Sequence, residues 1–364
     1  MRTVVVTGAA GSLGQRVTAR LAGHPDVGRV VAVDRNAVDG EDGRCPDLVD
    51  TEVHRLDLAD AAAGTLERLM AGADCVIHLA WQTADTLVDG ESAAWSAAAE
   101  VNRRALVRVL DGAAGAGVAG VIHLSSATVY GAWPDNRIPL TEDAPLRPNP
   151  EFSYAVAKAE AERRVAEWAD AHDDVAVAVL RPAVTLGTPE RPLYRALAGT
   201  RSPGTNDEAR PVQYLHVDDL AAAVVLAWEE RLTGVYNVAP DRGIGEDIAR
   251  ALAGGVARVR LPGRVARAVT AWSWDLWRGG VPREARAYAV HSWVVAADKL
   301  KAAGWEPQYS SEEALVATDV RAHWDDLPPG RRQNATLLLI AGTGAAAVAA
   351  AVGAGLGIRA LRRR

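Results

Sequence analysis

Tyr154 and Lys158 stand four residues apart in Tyr154-Ala155-Val156-Ala157-Lys158. On a helix, positions i and i+4 share one face. A phenol with its ordinary pKa of about 10 is a poor base at neutral pH. An ammonium beside it stabilises the phenolate and lowers that value. Such a pair can take a proton from a substrate hydroxyl, or return one, while a hydride moves to or from a nicotinamide. Ser126, closing the apolar run Gly120-Val121-Ile122-His123-Leu124-Ser125-Ser126, can hydrogen-bond the same substrate oxygen. A Tyr-x-x-x-Lys spacing alone is common on helix surfaces, so its weight depends on what surrounds it.

What surrounds it begins at residue 2. Arg2–Thr7 is a short run rich in β-branched residues and reads as a buried strand. Thr7-Gly8-Ala9-Ala10-Gly11-Ser12-Leu13-Gly14 follows at once, and then Leu13, Val17 and Leu21 recur at helical spacing. Strand, glycine-rich turn and helix together place a phosphate on a helix N-terminus, where free N–H groups and the helix dipole favour negative charge. The glycines permit a tight turn and close backbone approach to a pyrophosphate. The spacing is G-x-x-G-x-x-G rather than the generic G-x-G-x-x-G. A second strand, Arg29–Asp34, ends in a carboxylate 20 residues after Gly14. An acid there accepts from ribose hydroxyls and repels a 2′-phosphate, which favours NAD over NADP; the neighbouring Arg35 works in the opposite direction.

The chain has 364 residues, 49% hydrophobic and 24% charged, enough for a large core and two domains or one domain with a lobe. The net charge of −6 gives no sign of a nucleic-acid surface. Two cysteines, Cys45 and Cys75, make neither a disulfide framework nor a metal spacing, so a reduced, cytoplasmic setting and no metal are expected. The sequence starts directly with a strand, and no signal peptide is read from it.

Further buried strands are expected at Val53–Leu56, Asp74–Ala80, Gly120–Ser126, Val175–Leu180 and Tyr214–Val217. Helices are expected at Ala61–Met70, Glu91–Ala114 (carrying Asn102), Phe152–Ala171 and Ala221–Trp228, the last capped by Asp218 or Asp219. Their alternation argues for a doubly wound parallel sheet covered on both faces. Residues 1–182 form the expected dinucleotide-binding domain, with 216–240 returning to it. Residues 183–327 are mainly a substrate-binding lobe, in which Trp272, Trp274, Trp277 and Trp293 read first as packing and second as an apolar pocket. Residues 328–336 are a linker. Gln333–Ile358 then runs for 26 residues without a charge, rich in Ala and Gly, between arginines. That length spans a bilayer, which needs about 20 residues. The segment reads either as a membrane-associated helix over 337–358 or as a soluble Ala-rich tail.

The chain resembles the extended short-chain dehydrogenase/reductases, the NAD-dependent epimerase/dehydratase group. The resemblance is carried by Thr7-Gly8-x-x-Gly11-x-x-Gly14, Asp34, Asp57-Leu58, His78-Leu79-Ala80, Asn102, Ser125-Ser126-Ala127-Thr128-Val129-Tyr130-Gly131, Tyr154-x-x-x-Lys158, Leu180-Arg181-Pro182, His216-Val217-Asp218-Asp219, Tyr236-Asn237 and Gly304-Trp305-x-Pro307. It implies a Rossmann domain with a smaller C-terminal lobe and Ser126, Tyr154 and Lys158 as the catalytic set. It also implies an NAD site at Gly8, Gly11, Ser12, Leu13, Gly14, Asp34, Arg35, Asp57, Leu58, Leu79, Ala80, Asn102, Tyr154, Lys158, Pro182, Ala183 and Val184. His78, His123 and His216 are read as structural. A homodimer built on the two long helices is implied as well.

Within that family, sugar-nucleotide 4,6-dehydratases carry an Asp-Glu pair just after the catalytic hydroxyl residue. Here those places hold Ala127 and Thr128, which argues against dehydration. The wording Ser-Ala-Thr-Val-Tyr-Gly resembles the UDP-galactose 4-epimerase branch, which implies a nucleotide-sugar substrate touching Thr128. That branch has a diphosphate-binding Arg four residues before the His of His216-Val217-Asp218-Asp219. Val212 stands there, with Arg210 nearby; Arg283 and Arg286 are candidates for a second diphosphate contact. The other enzyme reading is an alcohol dehydrogenase or ketone reductase on an apolar substrate, similar to 3β-hydroxysteroid dehydrogenases. A non-catalytic NAD-binding regulator is the reading outside enzymes.

Overall fold

The computed structural model describes residues 1–36, 51–83, 92–187, 211–252 and 283–317. The expected linker, the 337–358 helix, Arg210, Trp272, Trp274 and Trp277 lie outside them. In chain order the elements are β1 (Arg2–Thr7), α1 (Ser12–Ala22), β2 (Val27–Asp34), β3 (Thr51–Arg55), α2 (Thr65–Met70), β4 (Cys75–His78), α3 (Ser92–Ala116), β5 (Gly120–Leu124), a 3₁₀ turn (Ala127–Tyr130), α4 (Ser153–Asp170) and β6 (Ala176–Pro182). Then come β7 (Val184–Leu186), β8 (Pro211–Val212), β9 (Tyr214–His216), α5 (Val217–Glu229), β10 (Gly234–Val238), β11 (Ile244–Gly245) and α6 (Glu246–Leu252). A 3₁₀ turn at Arg283–Ala285, α7 (Arg286–Val290), α8 (Asp298–Ala302) and α9 (Ser311–Ala317) complete the described part.

Seven strands form one sheet in the order β10-β6-β5-β4-β1-β2-β3, every pair parallel. This is the doubly wound Rossmann arrangement expected from the alternating runs. The runs are continuously apolar because both faces are covered. Val4, Val6, Val30, Ala32, Ile77, Ile122, Ala178 and Leu180 pack with Leu13, Val17 and Leu21 of α1 and Leu220–Trp228 of α5. The intervening residues Val5, Val31, Val33, Val76, Val121, Val177 and Val179 pack with α2, α3 and α4. Strand order reverses between β1 and β4, so the crevice at the carboxyl ends of these two strands is the ligand position of such sheets.

Several boundaries differ from the expected ones for identifiable reasons. Helix α2 begins at Thr65 rather than Ala61, because Gly64 takes a left-handed conformation (φ 73°) immediately before it. Helix α5 begins at Val217, four residues earlier than expected. Its cap is His216, whose Nδ1 accepts from Asp218 N at 3.2 Å. The expected aspartate caps are thereby corrected: Asp218 receives Arg16 Nε at 2.7 Å, and Asp219 receives the N–H groups of Gln308 (2.9 Å) and Tyr309 (3.0 Å). Trp305 Nε1 donates to the Asp219 carbonyl at 3.1 Å, and Tyr309 stacks on His216 at 4.0 Å. The His-Val-Asp-Asp and Gly-Trp-x-Pro motifs therefore serve each other, fastening 305–309 to the start of α5.

His78 and His123 are register partners on β4 and β5, and Thr7 is the partner of His78 on β1. His78 Nδ1 and Thr7 Oγ1 are 2.7 Å apart, and the two imidazoles stack at 5.7 Å. Burial, with the nearby Lys158 charge second, holds His78 down to about 3 and His123 well below its ordinary value. Both are thus neutral when folded, yet take a proton at about pH 6.5 when unfolded. The unfolded chain binds more protons below that pH, so stability falls on acidification by about 1.4 kcal/mol per pH unit for each histidine. For His78 the loss continues until the folded value near 3 is reached. Urea midpoints followed downward from neutrality should show this decline, and His123→Phe should make it shallower by one histidine's share. A slope equal to that of the unsubstituted protein would mean that His123 binds protons equally in both states.

Candidate active site

At the carboxyl end of β1 the chain turns through Gly8, whose φ of 78° and N–H donated to Val33 O (2.9 Å) bring it against the end of β4. A Cβ on Gly8 would lie 2.6 Å from Ala80 N, and one on Gly14 would lie 2.1 Å from Gly8 O. These two positions are closed to any side chain. Gly11 differs: among the described residues, a Cβ there would meet only Gly8 O, at 3.4 Å. Gly11 is also the N-cap of α1 and brings no side-chain acceptor to the first-turn N–H groups, which include those of Ser12, Leu13 and Gly14. A helix N-terminus without a side-chain cap fits a dinucleotide pyrophosphate.

Asp34, ending β2, accepts from Ala10 N on Oδ2 (3.0 Å) and from Asn36 N on Oδ1 (2.9 Å). Each oxygen keeps a second acceptor site, which suits ribose hydroxyls. Arg35 is exposed and donates to Gln82 Oε1 at 2.9 Å. Asp57 turns back to receive Ala59 N (2.9 Å), and Leu58 is buried. Leu79 and Ala80 lead out of β4, and Leu79 N donates to Thr7 O at 3.0 Å. Asn102 of α3 spends its amide on the Gln82 backbone, accepting from Gln82 N (2.7 Å) and donating to Gln82 O (2.8 Å). It holds the 80–82 segment in place. Pro182, Ala183 and Val184 carry the chain from β6 into β7, with Ala183 N bonded to Val238 O at 2.9 Å.

Strand β5 stops at Leu124, two residues short of the expected end. Ser126 leaves the sheet and caps the 3₁₀ turn, its Oγ accepting from Thr128 N (3.2 Å) and Thr128 Oγ1 (3.0 Å). Both contacts go to the oxygen, so the Ser126 proton is left to donate. On α4, Tyr154 and Lys158 are each 2% exposed. Lys158 Nζ donates to Leu124 O at 2.8 Å and lies 3.5 Å from the centre of the Trp81 ring. Tyr154 belongs to an apolar cluster with Phe152, Val184, Tyr214 and Tyr288, bordered by Trp81, Trp95 and Trp293. Tyr288 OH donates to Thr128 O at 2.7 Å, and burial pushes that phenol well above its ordinary value.

Glu162 continues the Tyr154–Lys158 face by one more turn. It pairs with Arg181 at 2.6 Å and receives Ser125 Oγ. Arg181 Nη1 also donates to Tyr130 OH (2.8 Å), which donates to Asn237 Oδ1 (2.8 Å). The sequence reading missed Glu162 and Trp81 as members of the site. Their only local signals were the spacing of four from Lys158 and the place directly after His-Leu-Ala. Of the substrate candidates, Thr128 is buried in the turn, Arg286 is exposed on α7, and Arg283 opens the short 3₁₀ turn before it. No cluster of metal-ligating side chains occurs among the described residues, and none of the described helices is long and apolar enough to cross a membrane.

A profile of the NAD dependent epimerase/dehydratase family matches residues 4–239. The chain belongs to that family. It is 29% identical over 349 residues to a dTDP-glucose 4,6-dehydratase of Streptomyces antibioticus, covering 89% of this chain and 95% of that one. It is 26% identical over 329 residues to the low-salt glycan biosynthesis protein Agl12 of Haloferax volcanii, covering 86% and 96%. The crystal structure of a Thermus thermophilus UDP-glucose 4-epimerase complex with NAD superposes with a TM-score of 0.61 at 22% identity, covering 88% of this chain and 99% of that one. The family is NAD-dependent, and the glycine turn of β1–α1 is the part of this chain that suits a pyrophosphate. Asp34→Ala should weaken NAD binding about ten- to hundredfold, the worth of a charge-assisted hydrogen bond, and raise relative affinity for NADP. Titration calorimetry with both cofactors checks this, and an unchanged preference would take Asp34 off the ribose.

Proposed function

We propose that this chain is an NAD-dependent epimerase acting on a nucleotide sugar through a transient ketone. The observation that carries the reading is the assembly at the carboxyl end of β5. Lys158 is bonded to Leu124 O, Ser126 has its proton available two residues on, and Tyr154 lies one turn before Lys158 on the same helix. Tyr154 would remove the proton from the substrate hydroxyl and later return it to the ketone oxygen. The Lys158 ammonium would stabilise the phenolate between the two events, and Ser126 would donate to the substrate oxygen throughout. NAD, when bound, supplies the acceptor and donor of the hydride. Ser12–Gly14 would hold its pyrophosphate on the α1 N-terminus, and Asp34 its ribose.

Epimerisation is favoured over dehydration by Ala127 and Thr128. Loss of water needs an acid and a base beside the sugar. Ala127 has no proton to move, and the Thr128 hydroxyl is engaged with Ser126. A second reading, oxidation or reduction of an apolar alcohol or ketone, is favoured by the aromatic surroundings of Tyr154 and by Val212 at the diphosphate-arginine place. Resemblance adds a homodimer through α3 and α4 to either reading.

Denaturing the purified chain and analysing released nucleotide, then adding UDP-galactose to the native protein, separates the two. Stoichiometric NAD with sugar interconversion is the expected result. Freely exchanging NAD with turnover of apolar ketones would replace the first reading by the second. Tyr154→Phe should lower turnover about 10²–10⁴-fold with the fold intact, as judged by circular dichroism and steady-state rates. Near-normal turnover would remove Tyr154 from proton transfer.

A further inference from the structure

Trp81 follows Ala80 directly, at the exit of β4, and has no part in the assembly proposed above. Its surroundings are nevertheless fixed tightly. The next residue, Gln82, is held through both backbone groups by Asn102, at 2.7 and 2.8 Å, and through its side chain by Arg35. The indole thus stands on an anchored segment. One ring face receives the Lys158 ammonium at 3.5 Å from the centroid, and Tyr154 meets the ring edge-on at 6.2 Å with an interplanar angle of 83°. The ring borders both the α2–α3–α4 core and the aromatic cluster that contains Tyr154.

An ammonium on an indole face is attracted by the ring quadrupole, by about 0.5–1 kcal/mol at exposed sites and about 2 kcal/mol when desolvated. Lys158 is nearly fully buried, so the contact belongs toward the upper end. Tryptophan gives the strongest such contact, phenylalanine a weaker one, and an aliphatic side chain none. We propose that Trp81 is a positioning residue: its indole face, together with Leu124 O, fixes the Lys158 ammonium beside Tyr154. The proposal rests on the reading of Tyr154 and Lys158 as the proton-transfer pair. An ammonium placed there keeps the phenolate accessible at working pH; an ammonium free to swing away does so less.

Several charged and titratable groups surround the pair. From β4 and β5, His78 and His123 face Lys158 and stay neutral through burial. On α4 itself, Glu162 is paired with Arg181 of β6. From α7, Tyr288 is pushed well up by burial, and Tyr130 and Tyr236 are also raised by it. Subtracting the same protein carrying Tyr154→Phe is what assigns a tyrosinate step to Tyr154.

The experiment is a near-ultraviolet tyrosinate titration of the full chain with NAD added, which needs no substrate. The unsubstituted protein, Trp81→Phe and Trp81→Leu are each measured against the same protein carrying Tyr154→Phe. The Tyr154 midpoint should rise in the order Trp, Phe, Leu, with Leu higher than Trp by about 0.5–1 pH unit. If Trp81→Leu does not fold, Trp81→Phe alone must still show a smaller rise. An unmoved midpoint overturns the proposal. An equal rise in Phe and Leu also overturns it, because bulk rather than the ring face would then hold the lysine. Absence of any Tyr154-dependent step below the range of a free phenol, in the unsubstituted protein, would fell the proton-transfer reading itself and this proposal with it.

Discussion

The ion pair between Glu162 and Arg181 is the constraint on which the rest of the site depends. Both side chains are nearly inaccessible, and both lie at the seam where α4 crosses the ends of β5 and β6. An apolar pair of equal volume could stabilise the fold as well or better, because two charges lose much solvation on burial. It could not fix the angle and height of α4, however. Glu162 accepts from Arg181 through both oxygens and from Ser125 Oγ, so the helix has one permitted position against the strand that ends beside Ser126. Lys158 and Tyr154 lie one and two turns earlier on the same face. The distance from Lys158 Nζ to Leu124 O follows from that setting. The same cluster reaches Tyr130, Asn237 and Glu142, so the 3₁₀ turn, β10 and the loop before α4 are tied to it.

What was legible in the sequence is what local chemistry dictates. Strands buried on both faces must be continuous apolar runs, and β1, β2, β4 and β5 could be read from these alone. The glycine turn was legible because Gly8 and Gly14 are demanded by backbone contact rather than by fine packing. Boundaries failed where a side chain competes with the regular pattern. Ser126 ends β5 early because its hydroxyl caps the next turn, and His216 starts α5 early because an imidazole nitrogen does what an aspartate was expected to do. Strand β10, Gly234-Val235-Tyr236-Asn237-Val238, was not read as a strand. Its residues do not mark it out; pairing with β6 and the bonds of Asn237 do.

The site follows the same division. Tyr154, Lys158 and the glycines are visible as spacings within one element. Trp81 meets Lys158 only because β4 and α4 are brought together over a gap of 77 residues, and Glu162 meets Arg181 only through the sheet. No window of sequence contains both halves of either contact. Asn102 shows the reverse case. Its position on α3 was legible, yet its amide is committed to the Gln82 backbone and holds that segment.

The turn after Ser126 is committed to scaffolding. Thr128 is almost wholly buried; its hydroxyl and N–H both serve Ser126, and its carbonyl receives Tyr288. A carboxylate placed at 128 would lose its solvent shell next to a phenol already bonded to the backbone. That burial is costly unless a partner is supplied. Ala127, fully buried against the core, has no room to supply one. An acid and base pair at 127 and 128 would need the turn rebuilt, which is why the proposed reading does not place one there. On the proposed reading, the polar requirement of the reaction would fall to three side chains, Ser126, Tyr154 and Lys158, with the surrounding aromatic wall left to packing.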